Sequence, residues 1–288
     1  MVDSRVRRSH PEPSKVEAWL VGPWRRGEFR CVRPEAAPGE QWFELDRIEA
    51  AEDAIAAGQL PQPLVLLLAA PRPDWTTPAM LENLLARAPL TRTVVVAGSW
   101  CEGELRTGRA SAGVHRVYWH QFPAWWRRSR SRIEQGLPPL WSYPPGMPVS
   151  ESLYPPTETR SVLVSAPDYA VFQTLRDTLA PQGLSCEWQQ SPTNRRPDSD
   201  HSPYTATAET YAAGIVDGGQ LDARDSQRLK HARQILGAAA PVTLLLDYPR
   251  AEHLARSAEA GATTVLGKPY GLDDLIDSLQ VTTPPRAK

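Results

Sequence analysis

Short apolar segments alternate with segments of helical periodicity through the C-terminal half of the chain. Segments 161–165 (SVLVS) and 242–246 (VTLLL) are rich in apolar residues, which is typical of strands covered on both faces. Between them, Val171, Leu175 and Leu179 recur at helical spacing. Five such alternations predict a doubly wound parallel sheet with helices on both faces. The predicted strands are 161–165, 184–188, 213–216, 242–246 and 264–266, and the predicted helices are 168–181, 204–211, 225–236, 252–260 and 272–279.

The N-terminal half repeats this alternation less clearly. Its strongest strand signals are TVVVA at 93–97 and LVLLLAA at 64–70, and the second of these is the longest apolar run in the chain. That run is far shorter than a membrane span requires. We therefore expect a second α/β domain in this half. Its predicted strands are 16–21, 64–70, 93–97 and 114–119, and its predicted helices are 49–57, Pro78–Arg87 and 124–134.

Proline is concentrated between the two halves. Residues 136–159 contain so many prolines that neither a helix nor a central strand can persist there, which predicts an extended linker. The large side chains of Trp141, Tyr143 and Leu153 are expected to anchor it to a domain surface. Residues 1–14 have little to bury and are expected to form a disordered tail, followed by a first domain over 15–135, the linker, and a second domain over 160–288.

Charge and cysteine content narrow the classes of function. The formal net charge is −1 and the pI is about 6.6, so no overall bias favours nucleic acid or an anionic membrane. Cys31, Cys101 and Cys186 are too scattered for a zinc site. The first residues lack the apolar region of a secretory signal. These features predict a cytoplasmic protein without a metal or another cofactor.

Segment 258–279, AEAGATTVLGKPYGLDDLIDSL, resembles the last third of the receiver domains of bacterial response regulators. Those domains have an Ala-Gly-Ala turn, an apolar strand, a Lys-Pro pair and an amphipathic helix opened by acidic residues. The order and spacing match here, with Lys268 and Pro269 as the pair. The resemblance spans residues 160–280 and implies a CheY-like, flavodoxin-like fold for the second domain. The first domain is interpreted as a second, more diverged copy, so the fold class is two receiver-like parallel-sheet domains joined by the linker.

The resemblance also implies a site at the carboxyl ends of the strands. In that family an Asp after the third strand accepts a phosphoryl group, and a hydroxyl residue and a lysine grip its oxygens. Asp217 matches the acceptor and Lys268 matches the lysine. Leu246 or Asp247 stands where the hydroxyl residue belongs, depending on the alignment. Asp217, Asp247 and Lys268 are therefore expected to converge, either as a vestigial phosphorylation site or, as we favour, as a structural ion pair.

The family's metal-binding acidic pair is missing. Ala166 and Pro167 stand in its place, and only Asp168 follows. Mg²⁺ needs carboxylate oxygens, so a single carboxylate beside Ala and Pro is a poor site. Without the metal, phosphoryl transfer to Asp loses its main electrostatic support. The second domain is therefore interpreted as a pseudo-receiver.

The densest polar cluster of the chain follows strand 93–97, at an edge where open α/β sheets place ligand sites. Its carboxylates could face a cationic or peptide ligand while its arginines grip an anion, or the two could pair within a surface loop. A thiol nucleophile with His115 or His120 as base is disfavoured, because no nucleophile-elbow pattern is present. The candidate binding residues are Trp100, Cys101, Glu102, Glu104, Arg106 and Arg109.

A second aromatic and basic segment lies at 125–132 (WWRRSRSR). It could contact nucleic acid or an acidic partner. We favour a terminal helix that buries Trp125 and Ile133 while its arginines stay in water, because the chain lacks a helix-turn-helix.

Together these features predict a non-catalytic signalling or scaffold protein. Its expected partner is another protein, which could be a second copy of the same chain. Nucleic acid and membranes are not expected as partners. A phospho-accepting response regulator that uses Asp217 is the first alternative. An enzyme or small-ligand binder centred on the loop from Trp100 to Arg109 is the second.

Overall fold

The computed structural model describes residues 16–103, 113–145, 147, 159–189 and 211–279. The first domain is a five-stranded parallel sheet of order β2-β1-β3-β4-β5. Its strands are β1 (Ala18–Val21), β2 (Trp42–Leu45), β3 (Val65–Ala70), β4 (Arg92–Ala97) and β5 (Val114–Tyr118). Its helices are α1 (Gly27–Val32), α2 (Ile48–Ala57), α3 (Pro78–Arg87) and α4 (Phe122–Glu134).

The second domain repeats this plan with a parallel sheet of order β10-β9-β8-β6-β7. In both sheets the first strand lies between the second and the third, which is the flavodoxin-like order, so the predicted fold class is confirmed. Its strands are β6 (Arg160–Ser165), β7 (Leu184–Gln189), β8 (Ala213–Asp217), β9 (Val242–Asp247) and β10 (Thr264–Lys268). Its helices are α5 (Tyr169–Leu179), α6 (Ala223–Leu236), α7 (Ala251–Glu259) and α8 (Leu272–Ser278).

Burial on both faces explains why the central strands are apolar throughout. Every residue of β3 and of β8 is buried, and each sheet carries one hydrophobic cluster on each face. Parallel strands covered by helices on both sides have no solvent face, so they need no polar alternation. In the part of the chain that the structure describes, no helix is long and apolar enough to cross a bilayer.

Two elements of the first domain were missed from the sequence. Strand β2 is a short edge strand that is only half buried, so it lacks the apolar run of a central strand. Helix α1 has six residues and buries only Phe29 and Val32, too few for a helical stripe. The helix predicted at 204–211 lies outside the described residues except for Tyr211, and the charged, proline-bearing segment 195–202, for which the sequence predicts a loop, lies wholly outside them.

The start of the linker is bound to the first domain. Trp141 is 1% exposed and stacks on Trp126, with ring centroids 5.0 Å apart. The Arg132 guanidinium donates to the Pro138 carbonyl over 2.7 Å and to the Tyr143 hydroxyl over 2.8 Å. This segment therefore covers α4 as part of the core. Leu153 lies outside the described residues.

Three of the four arginines of α4 do not stay in water, contrary to the interpretation favoured from the sequence, and only Arg127 is exposed. The Arg128 side chain is 13% exposed, Arg132 is buried against the linker, and Arg130 forms an ion pair with Glu40. Arg128 reaches the second domain, Arg130 reaches Glu40 of the first domain, and Arg132 reaches the linker. Trp126, rather than Trp125, is the buried tryptophan of this helix.

The two domains contact each other through unlike helices. Helix α4 lies against α8, and α1 lies against α7. Arg128 lies 3.0 Å from Asp274 and 3.5 Å from both Asp273 and Asp277. Burial raises the pKa of Asp274, while Arg128 acts to lower it. Leu254 of α7 completes the apolar part of the contact by packing on a core cluster of the first domain.

Candidate functional site

Three neighbouring strands end at a cluster of charged side chains in the second domain. Asp217 closes β8, Asp247 closes β9 and Lys268 closes β10, with Lys268 directly opposite Asp247 in the strand register. The Lys268 ammonium lies 2.7 Å from the Asp217 carboxylate and 3.1 Å from that of Asp247. It also donates a hydrogen bond of 2.8 Å to the Gly218 carbonyl. All three donor positions of the amine thus have an acceptor, and we call this cluster the lysine triad.

Burial and charge oppose each other at this lysine. Burial lowers the pKa of Lys268, but the hydrogen bonds and charges of Asp217 and Asp247 outweigh burial and raise it above its ordinary value. The Asp217 side chain is 8% exposed, whereas that of Asp247 is 45% exposed. Asp217 is therefore the inner partner of the ammonium ion, and Asp247 faces the solvent side.

The lysine triad forms one wall of a cleft of about 530 Å³. The opposite wall is the start of α6, where Asp225 is held by the Gly219 amide at 2.9 Å and by Arg228 at 2.5 Å. The sequence analysis missed these residues, although their position directly after β8 places them at the same sheet edge. The lining residues are Pro167, Asp217, Gly218, Gly219, Gln220, Asp222, Arg224, Asp225, Arg228, Asp247 and Lys268.

The structure places only three of the four predicted pocket residues together. The Asp168 carboxylate accepts the Ala170 amide at 2.9 Å and so caps the exposed start of α5. It does not line the cleft. Ala166 is buried, and Pro167 is the lining residue on that side. Of the two alignments, Asp247 is the residue at the site, since Leu246 is fully buried.

Three carboxylates of the cleft already have a cationic partner. Asp217 and Asp247 share Lys268, and Asp225 is paired with Arg228. Among the residues that the structure describes, no group of three or more His, Cys, Asp and Glu is arranged to hold a metal ion. A metal bound by Asp217, Asp225 or Asp247 would have to displace a lysine or an arginine from its carboxylate.

The predicted binding loop of the first domain is described only at its start. Trp100 is 82% exposed, so it does not fold back into the core. Cys101 is fully buried, and its thiol hydrogen bonds to the Ala70 carbonyl at 3.4 Å, which is unlike an accessible nucleophile. The Glu102 carboxylate lies 3.5 Å from the buried His120 ring. Glu104, Arg106 and Arg109 lie outside the described residues.

The corresponding sheet edge of the first domain is filled by its own side chains. Glu28 accepts the Ser99 amide at 2.9 Å, and an added Cβ at Gly98 would lie only 2.6 Å from the Glu28 carboxylate. Trp24 and Phe29 are buried beside it, with ring centroids 6.0 Å apart. Glutamate and aromatic rings thus take the space that forms a cleft in the second domain.

Comparison with known proteins gives matches among solved structures. No protein-family model matches the sequence, and no curated protein matches it. The receiver domain of the Francisella response regulator 1452 shares 18% identity over 42% of this chain and 94% of its own, with a TM-score of 0.31. A response regulator from Thermotoga maritima shares 18% identity over 42% of this chain and 95% of its own, with a TM-score of 0.32. A CheY-like receiver domain protein from Methanospirillum hungatei shares 17% identity over 43% of this chain and 92% of its own, with a TM-score of 0.30. These three structures are named as response regulators or receiver domains.

The strand order and the lysine triad of the second domain both agree with the receiver fold. Its first strand lies between the second and third, and Asp217 and Lys268 end the third and fifth strands. The second domain therefore has the fold of a diverged receiver domain. What departs from the receiver pattern is the chemistry of the edge, where Ala166 and Pro167 follow β6 and Asp247 follows Leu246.

Proposed function

We propose that the protein is a non-catalytic signalling protein in which the second domain is a pseudo-receiver. The observation that carries this proposal is the lysine triad beside Ala166 and Pro167. The carboxylate that would accept a phosphoryl group is 8% exposed and lies 2.7 Å from an ammonium ion. No acidic pair flanks it to hold Mg²⁺.

Electrostatics supports this reading. Phosphoryl transfer brings a dianionic group onto a carboxylate, and a metal ion normally neutralises the developing charge. In this cleft the available cations are Lys268, Arg224 and Arg228. Lys268 and Arg228 already neutralise carboxylates of the protein, and Arg224 is exposed. Asp217, Asp247 and Asp225 are thus neutralised by cations of the protein, and Lys268 is already bound to two of these carboxylates.

A protein of this kind acts by presenting surfaces to a protein partner. The receiver fold supplies a scaffold, and its surfaces rather than its chemistry then carry the signal. The face formed by α7, β10 and α8 is occupied by the first domain, so an external partner would bind elsewhere or displace that domain. A phospho-accepting regulator that uses Asp217 is the competing function.

Incubation with acetyl phosphate and Mg²⁺ is expected to add no phosphoryl group to the second domain. The reason is the missing metal ligands together with the neutralised Asp217. Intact-mass measurement of the folded full-length chain, with and without chelator, checks this. An acid-labile mass increase that requires Mg²⁺ and disappears in Asp217→Asn would establish the phospho-accepting regulator instead.

A second candidate function is recognition of a protein partner by the loop that begins at Trp100. The specific observation is that this tryptophan is 82% exposed at the carboxyl end of β4, while the neighbouring Cys101 anchors the chain in the core. Tryptophan is among the residue types that most often dominate binding energy. An exposed tryptophan on an anchored turn is thus available to a partner without rearrangement.

Trp100→Ala is expected to weaken partner binding by about 30-fold, as for a residue worth about 2 kcal/mol at an interface. Leu90→Ala is the matched control, because Leu90 is equally exposed but precedes β4 at the opposite edge of the sheet. Quantitative pull-down from the native cell, with melting temperatures of both variants, is the measurement. Equal recovery of every partner by both variants would show that Trp100 has no recognition role.

A further inference from the structure

The first domain touches the backbone of the lysine triad. Its loop after β5 reaches the end of β10, where the His120 ring packs directly on Gly267. A Cβ added at Gly267 would lie 2.4 Å from Cε1 and 2.6 Å from Nδ1 of the ring, which is closer than any side chain tolerates. Only glycine allows this approach, so the ring and the strand are in direct contact with no space between them.

The next residue of the same loop contacts the other side of the lysine. The Gln121 side-chain amide donates to the Pro269 carbonyl over 3.1 Å. Two consecutive residues of the first domain therefore hold Gly267 and Pro269, which flank Lys268 in sequence. From within the cleft, Asp217, Asp247 and the Gly218 carbonyl hold the ammonium group of the same lysine.

We propose that the lysine triad sets the position of the strand end on which the first domain docks, so that the cleft and the domain contact form one coupled unit. In this arrangement the first domain is the built-in partner of the pseudo-receiver. A change in the charges around Lys268 moves residues 267–269, and the first domain responds because His120 and Gln121 rest on them. The proposal concerns domain coupling and does not depend on whether Asp217 can be phosphorylated.

The His120 ring is packed so closely that a movement of Gly267 is passed on to the first domain. The ring is stacked on Tyr118 with centroids 5.8 Å apart, meets Trp119 edge-on, and lies 3.5 Å from Glu102. Its side chain is 5% exposed. Closely packed groups shift together rather than deform independently. If Gly267 is displaced, the loop between β5 and α4 therefore moves with it.

Hydrogen–deuterium exchange of the full-length chain tests the coupling. Asp247→Asn removes one charge from the lysine triad at a partly exposed position, and Lys268→Met removes its centre. Asp177→Asn is the matched control, because Asp177 pairs with Arg176 on the exposed face of α5 in the same domain. The readout is the exchange rate of amides in α4, which belongs to the first domain and does not contact these side chains.

We expect Asp247→Asn and Lys268→Met to speed exchange in α4 by about fivefold or more, the lower end of typical coupling between sites. Asp177→Asn should leave it unchanged. In a background that carries both His120→Ala and Gln121→Ala the effect of Asp247→Asn on α4 should disappear, since both contacts that transmit it are gone. If Lys268→Met unfolds the second domain, Asp247→Asn alone carries the test. Faster exchange confined to the second domain, with α4 unaffected, would overturn the proposal.

Discussion

Lys268→Met is expected to lower the free energy of unfolding of the second domain by about 3 kcal/mol, the lower part of the range for breaking a buried ion pair. The loss comes from Asp217, whose side chain is 8% exposed and would be left without its cationic partner. Partial exposure of the lysine, at 31%, places the effect below that of a fully enclosed pair. Asp217→Asn is expected to cost less, about 2 kcal/mol, because Asp247 still pairs with the lysine.

The coupling between the two residues is measured by a double-mutant cycle. Denaturant melts of Asp217→Asn, Lys268→Met and the double variant should show that the double variant loses clearly less than the sum of the two single losses. The raised pKa of Lys268 means that the interaction is fully present at neutral pH and is lost only in alkali, as the pH rises through that pKa. Strictly additive losses would mean that the two side chains do not stabilise each other.

Arg233→Met is the second large effect that we expect, with a loss of about 2–4 kcal/mol for several hydrogen bonds from one charged group. Its guanidinium donates to the carbonyls of Gly261, Gly237 and Ala240 over 2.7–2.9 Å and to the Thr263 hydroxyl over 3.2 Å. It thus joins the turns that precede β9 and β10. Burial lowers the pKa of Arg233. The carbonyl oxygens accept the hydrogen bonds that water would accept from an exposed arginine.

Two further variants separate this role from a general effect of charge. Lys230→Met removes an exposed cation from the same helix and is expected to change the melting temperature little. Arg233→Lys keeps the charge but lacks the planar fork that reaches several acceptors, so it should recover only part of the loss. Thermal melts of the three variants provide the comparison. Equal melting temperatures for Arg233→Met and Lys230→Met would contradict the structural role of this arginine.

Prediction from the sequence succeeded where burial alone decides the pattern. Strands such as β3 and β8 are buried along their whole length, and an uninterrupted apolar run marks them to within a residue or two. The convergence of Asp217, Asp247 and Lys268 also followed from the sequence, because residues that end adjacent parallel strands must meet at one edge. The functional role of this site and of the loop after Trp100 stays a prediction.

The remainder depended on contacts that no residue pattern announces. The partners of Arg233 are backbone carbonyls, which every residue has, so its site leaves no trace in the sequence. The partners of Arg128 lie in another domain, and periodicity does not tell which surface faces which. Asp168 was predicted to line the pocket because it follows β6 closely in sequence. Its carboxylate instead caps α5 by accepting the Ala170 amide.

The pairing of unlike helices between the domains limits the symmetry of any assembly. Helix α1 is the first helix of its domain, whereas α7, which it meets, follows the fourth strand of the other domain. Such a head-to-tail contact is heterologous, so two chains cannot pair by placing one copy of it on a twofold axis. A twofold homodimer in which each chain keeps its own domain contact must therefore be built from a different surface, whereas exchange of domains between two chains would use the same contact twice.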